Sequence, residues 1–114
     1  MTSQKFIAFM EKLLTKTKSG EIVWTRLHTI PDGIGWASTK KSFSCVAGTM
    51  NVVLYVSEGL DFITFCIEYD PSMPYASLDA ISSEERQVAL RLVNYIYDLF
   101  PNLEKSIDQF LADF

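Results

Sequence analysis

The chain is 114 residues long, 48% hydrophobic and 13% aromatic, with a formal charge of −4. That size and composition predict a single globular domain over residues 1–114 with a real core, and leave no room for a second. No apolar run reaches the ~18–20 residues that cross a bilayer, and the first residues lack the pattern of a secretory leader, so no membrane association and a cytoplasmic location are expected.

Charge is unevenly distributed. Residues 1–41 carry seven basic side chains against three acidic, and the remainder carries three against eleven. Such a split can mark an interaction face. Cys45 and Cys66 cannot build a disulfide framework, and neither lies at metal-site spacing from the one histidine, His28. Both are read as reduced thiols on strands.

Phe6, Phe9, Met10, Leu13 and Leu14 recur at the three- and four-residue spacing of one helix face. Lys5, Lys12, Lys16 and Lys18 fall mostly off that stripe, and Gly20 follows at a position where positive φ ends a helix cheaply. Glu21 to His28 then reads as a strand rich in β-branched and aromatic residues. The stretch "LLTKTKSGEIVW" is thus a helix stop: lysines favour the negative end of the helix, glycine closes it, and Trp24 packs beneath.

From Thr29 to Ser42 the period breaks into "TIPDGIGWASTKKS", the longest expected surface loop of the first half. Its Ile34 and Trp36, beside Lys40 and Lys41, suit a lid folded on the sheet and a binding anchor equally. Strands are expected at Phe43–Ala47, Asn51–Ser57 and Asp61–Tyr69, joined by antiparallel hairpins. In the last of these Ile63, Phe65, Ile67 and Tyr69 should meet the helices, with Phe62, Thr64, Cys66 and Glu68 on the other face.

"DPSMPYASLDAI" interrupts the strand pattern with two prolines. Ser82 and Glu85 have capping-box spacing and introduce a helix with an apolar stripe of Val88, Leu92, Ile96 and Leu99. Pro101 ends or kinks it, and Leu103, Ile107, Phe110, Leu111 and Phe114 predict a final short helix. The expected fold is α+β, with about four antiparallel strands in the order α-β-β-β-β-α-α.

Chemical motifs are few. The sequence contains no phosphate loop, dinucleotide turn, HExxH pair or GxSxG elbow, and "GIGW" lacks the third glycine and the strand-to-helix setting of a phosphate site. No cofactor and no metal is expected: Glu58, Asp61, Glu68 and Asp70 gather around one hairpin, but not with the spacing of a calcium loop. His28 near Asp32 permits an acid–base pair, although a lone histidine at a strand edge is usually a surface residue. Eleven acids in the second part oppose direct nucleic-acid binding.

With its helix–glycine–strand join "LLTKTKSGEIVW" and its C-terminal "VNYIYDLFPNLEKSIDQFLADF", the chain resembles small uncharacterised proteins of phages and mobile elements in Gram-positive bacteria. Some proteins of that size and acidity are anti-CRISPR inhibitors of type II effector nucleases. The resemblance implies a non-catalytic inhibitor that binds a basic protein surface, and it carries over no individual inhibitor residue.

The expected activity is therefore protein binding by a monomer or weak homodimer, with Ile34, Trp36, Glu58, Asp61, Glu68 and Asp70 as candidate contacts. Glu84 and Glu85 would extend the same negative face. The alternatives are a small hydrolase or nuclease using His28 with nearby carboxylates, and a dimerisation module using an exposed sheet edge.

Overall fold

The computed structural model describes residues 1–101 and 103–113. Helix α1 (Ser3–Lys18) leads into five strands, β1 (Thr25–Arg26), β2 (Phe43–Ala47), β3 (Met50–Val56), β4 (Ile63–Glu68) and β5 (Ala76–Asp79), followed by α2 (Ser83–Asp98) and α3 (Leu103–Asp113). All neighbouring strands pair antiparallel, in the spatial order of the sequence. The α+β class and the flanking helices match the expectation; the sheet has one strand more.

Helix α1 begins at Thr2, whose hydroxyl accepts the Lys5 amide, and buries Phe6, Met10, Leu13, Leu14 and Thr17. Helix α2 carries a complete capping box, with Ser82 Oγ accepting the Glu85 amide at 3.2 Å and Glu85 Oε1 accepting the Ser82 amide at 2.9 Å. Ser3 bonds Glu85 at one end of the helix pair and Lys18 lies over the Tyr95 ring at the other. The two helices therefore run parallel on one face of the sheet.

The core forms where that pair meets the inward residues Phe43, Cys45, Val52, Leu54, Val56, Ile63, Phe65 and Ile67. Phe6 and Phe9 both meet the Phe65 ring edge-on, at 5.6 and 6.1 Å. Cys45 belongs to this layer, and burial pushes its thiol up to about 12. Cys66 lies on the outer face opposite Ser77, so the two thiols are separate and free.

Several expectations need correction. The strand expected over Glu21–His28 is reduced to Thr25–Arg26, because the closing turn of α1 occupies Gly20–Ile22. Strand β5 forms in the segment that two prolines had masked, since Leu78 pairs with Phe65 and Ala76 with Ile67 after the second proline. Tyr69 is exposed because β4 ends at Glu68, and Leu99 is exposed because α2 ends at Asp98. Helix α3 forms as expected but buries no residue; Phe114, assigned to it from sequence, lies outside the described residues.

Among the described residues no helix is long and apolar enough to cross a membrane.

Candidate protein-binding surface

Two outward-facing segments converge at one end of the sheet. The loop after β1 is stitched to β3: the Ser38 amide donates to the Val56 carbonyl at 2.7 Å, Ala37 bridges Ser57, and Ser42 Oγ accepts the Val56 amide at 3.0 Å. This brings Trp36 against Phe62, with ring centroids 5.8 Å apart at a tilt of 54°. Both rings stay accessible, Trp36 at 39% and Phe62 at 63%. Trp36 is thus neither a closed lid nor a free anchor: one side rests on Phe62 and the other meets solvent.

Phe62 sits on a tightly held turn. Its amide donates to Ser57 Oγ and its carbonyl accepts the Ser57 amide, each at 3.0 Å. Leu60 adopts φ 64, a region that side-chain-bearing residues seldom occupy. Arg86 fixes it from α2, donating to the Leu60 carbonyl at 2.9 Å and the Asp61 carbonyl at 2.7 Å.

Ile81 completes the apolar patch, at 76% exposure. It stands just before the N-cap Ser82, where an apolar residue often packs on the fourth helical residue. That residue here is Arg86, which is engaged with the turn, so Ile81 has no apolar staple partner. Trp36, Asp61, Phe62, Thr64, Asp79 and Ile81 line an open hollow of about 450 Å³. Its rim is acidic, and Thr64 donates to Asp79 Oδ1 at 2.7 Å.

The acidic residues singled out from sequence are divided by this geometry. Glu58 and Asp61 belong to the turn beside Trp36 and Phe62, whereas Glu68 and Asp70 lie at the far end of β4, ~20 Å away along the strand. The Ser38 hydroxyl, 2.6 Å from Glu58 Oε2, holds that carboxyl below its ordinary value, with Lys41 and Lys40 acting in the same direction. Asp70 is lowered by the amide and then the hydroxyl of Ser72, in a local turn.

Glu85 does not join a negative face: it is buried as a helix cap, while Glu84 is exposed in the first turn of α2. Ile34 is half-buried, its amide turned to the Pro31 carbonyl.

His28 is exposed on the bend after β1 and makes no hydrogen bond or ion pair with another described residue, Asp32 included. No group of His, Cys, Asp and Glu among the described residues is arranged to hold a metal ion.

Phe62, Asp79 and Ile81 were missed as site residues. Phe62 carried a readable signal, an aromatic on the outward face of a strand, whereas its contact with Trp36 depends on the tertiary path of the loop. Comparison with protein families, curated proteins and solved structures finds no match.

Proposed function

We propose that the chain is a non-catalytic protein-binding domain whose contact surface centres on Trp36 and Phe62. The observation that carries this reading is the exposed aromatic pair, Phe62 on a turn held by Arg86 and Ser57 and Trp36 on the loop stitched to β3. A fixed aromatic anchor loses little conformational freedom on binding, and tryptophan is prominent among residues that dominate interface energies. Asp61 and Asp79 at its rim favour a partner with lysines and arginines, accelerating encounter more than they lengthen residence.

In its sharpest form the domain is a cytoplasmic inhibitor that covers the basic nucleic-acid groove of an effector such as a CRISPR nuclease. The acidic second part of the chain and the resemblance to small phage proteins support that version.

The test is capture from bacterial lysate on immobilised protein, comparing the unmodified chain with Phe62→Asp and His28→Ala. The expected result is a basic protein retained by the unmodified chain and by His28→Ala, eluted by salt and lost with Phe62→Asp. Equal retention by Phe62→Asp would overturn the assignment of the surface.

A further inference from the structure

A second apolar surface lies on the other side of the molecule. Helix α1 and the β2–β3 hairpin enclose a groove of about 580 Å³, floored by Phe9, Leu13, Ile22, Val46, Ala47 and Met50. Lys5, Lys12 and Lys16 line it from the helix. Lys16 is paired with Glu21 at 2.6 Å, while Lys5 and Lys12 form no ion pair among the described residues. The groove is therefore apolar within and cationic along one rim.

Helix α3 is its complement. Leu103, Ile107 and Leu111 repeat every four residues and are all exposed, giving the helix an apolar stripe that this molecule does not cover. Its charges are Glu104, Asp108 and Asp113 against Lys105, whose ammonium is held on the Asp98 carbonyl. The lengths also agree: α3 spans ~16 Å, as does α1 between Lys5 and Lys16. No residue of α3 lines the groove of its own molecule. That helix departs instead from Pro101, whose carbonyl is held by Arg26 at 3.1 Å.

We propose that α3 of one molecule docks in the α1 groove of a second copy and receives the same contact in return, forming a symmetric dimer. Two identical contacts related by a twofold axis close the assembly and leave no free groove or stripe. Apolar burial supplies the attraction, while Lys5 and Lys12 facing Glu104 and Asp108, one turn apart on the same flank of the stripe, select the acidic helix. The Trp36 surface takes no part, so this inference stands independently of the proposed function.

The test is sedimentation equilibrium from ~1 to ~200 µM on the unmodified chain, on Lys5→Glu/Lys12→Glu and on Glu104→Lys/Asp108→Lys. All four substituted side chains are exposed, and circular dichroism checks that helix content is kept. The unmodified chain should dimerise, each double variant alone should dimerise about tenfold more weakly or worse, and an equimolar mixture should regain the affinity, because reversed groove meets reversed helix. A monomeric unmodified chain, variants that dimerise as tightly as it does, or a mixture no tighter than either variant alone would overturn the proposal.

Discussion

The indole of Trp24 donates to Thr17 Oγ1 at 2.8 Å, and the Thr17 hydroxyl in turn donates to the Leu13 carbonyl at 2.6 Å. Both side chains are buried. The relay lets the largest aromatic after the helix stop pack beneath α1 without an unpaired N–H. Thr17→Val keeps the shape and removes the acceptor, and should cost about 1–3 kcal/mol in urea denaturation. With Trp24→Phe as background the same substitution should cost less, because no indole N–H is then stranded. Equal costs in both backgrounds would refute the relay.

Gly20 supplies the turn into that tryptophan. At φ 82 it lets its own amide reach the Thr17 carbonyl at 3.1 Å and that of Glu21 reach the Lys16 carbonyl at 3.0 Å, the two bonds of a Schellman closure. An added Cβ would meet nothing within 4 Å, so substitution strains the backbone alone. Gly20→Ala should therefore destabilise by ~1 kcal/mol, with Gly20→Asn milder. An unchanged melting curve for Gly20→Ala would remove the assignment.

Glu85 makes stability depend on acid. The Ser82 amide, then the Ser3 hydroxyl and the Ile81 amide, hold its carboxyl below the ordinary glutamate value. The folded state thus binds this proton less readily than the unfolded chain does. The resulting stabilisation is complete above the unfolded pKa and is lost as pH falls through the depressed folded value. Glu85→Gln, which retains an acceptor for the cap, should flatten that part of the stability profile. A profile identical to that of the unmodified protein would show that other carboxylates cause the acid sensitivity.

The helices were legible because their signals are local: Ser82 and Glu85 are three residues apart, and the α1 stripe repeats within one segment. Strand β5 was not, since Ala76–Asp79 is four residues of edge strand whose order comes from pairing with β4. The strand expected over Glu21–His28 shrinks to Thr25–Arg26 for a similar reason: the closing turn of α1 takes its first residues, and only those two pair with β2. Within the candidate site, Trp36, Asp61 and the outward face of Phe62 could be read directly. The meeting of Trp36 with Phe62 could not, because it is fixed by the Ser38 to Val56 bond and by the turn that Arg86 holds.

That turn yields a prediction about order. Arg86→Ala removes both donors from the Leu60 and Asp61 carbonyls and leaves Leu60 unsupported at positive φ. Amide exchange over residues 57–62 should accelerate by about tenfold or more, while the β2–β3 hairpin keeps its protection. Unaltered exchange in the turn would mean that Arg86 is not its clamp.

The most direct measurement of the central claim is surface plasmon resonance against the captured partner, following both rate constants as salt is raised. Phe62→Ala should raise the dissociation rate by about tenfold or more with little change in association. Asp61→Lys/Asp79→Lys should slow association, and raising salt should slow the unmodified pair while affecting that variant less. Rates indifferent to Phe62, to both aspartates and to salt would contradict an acidic, aromatic-centred binding surface at this end of the sheet.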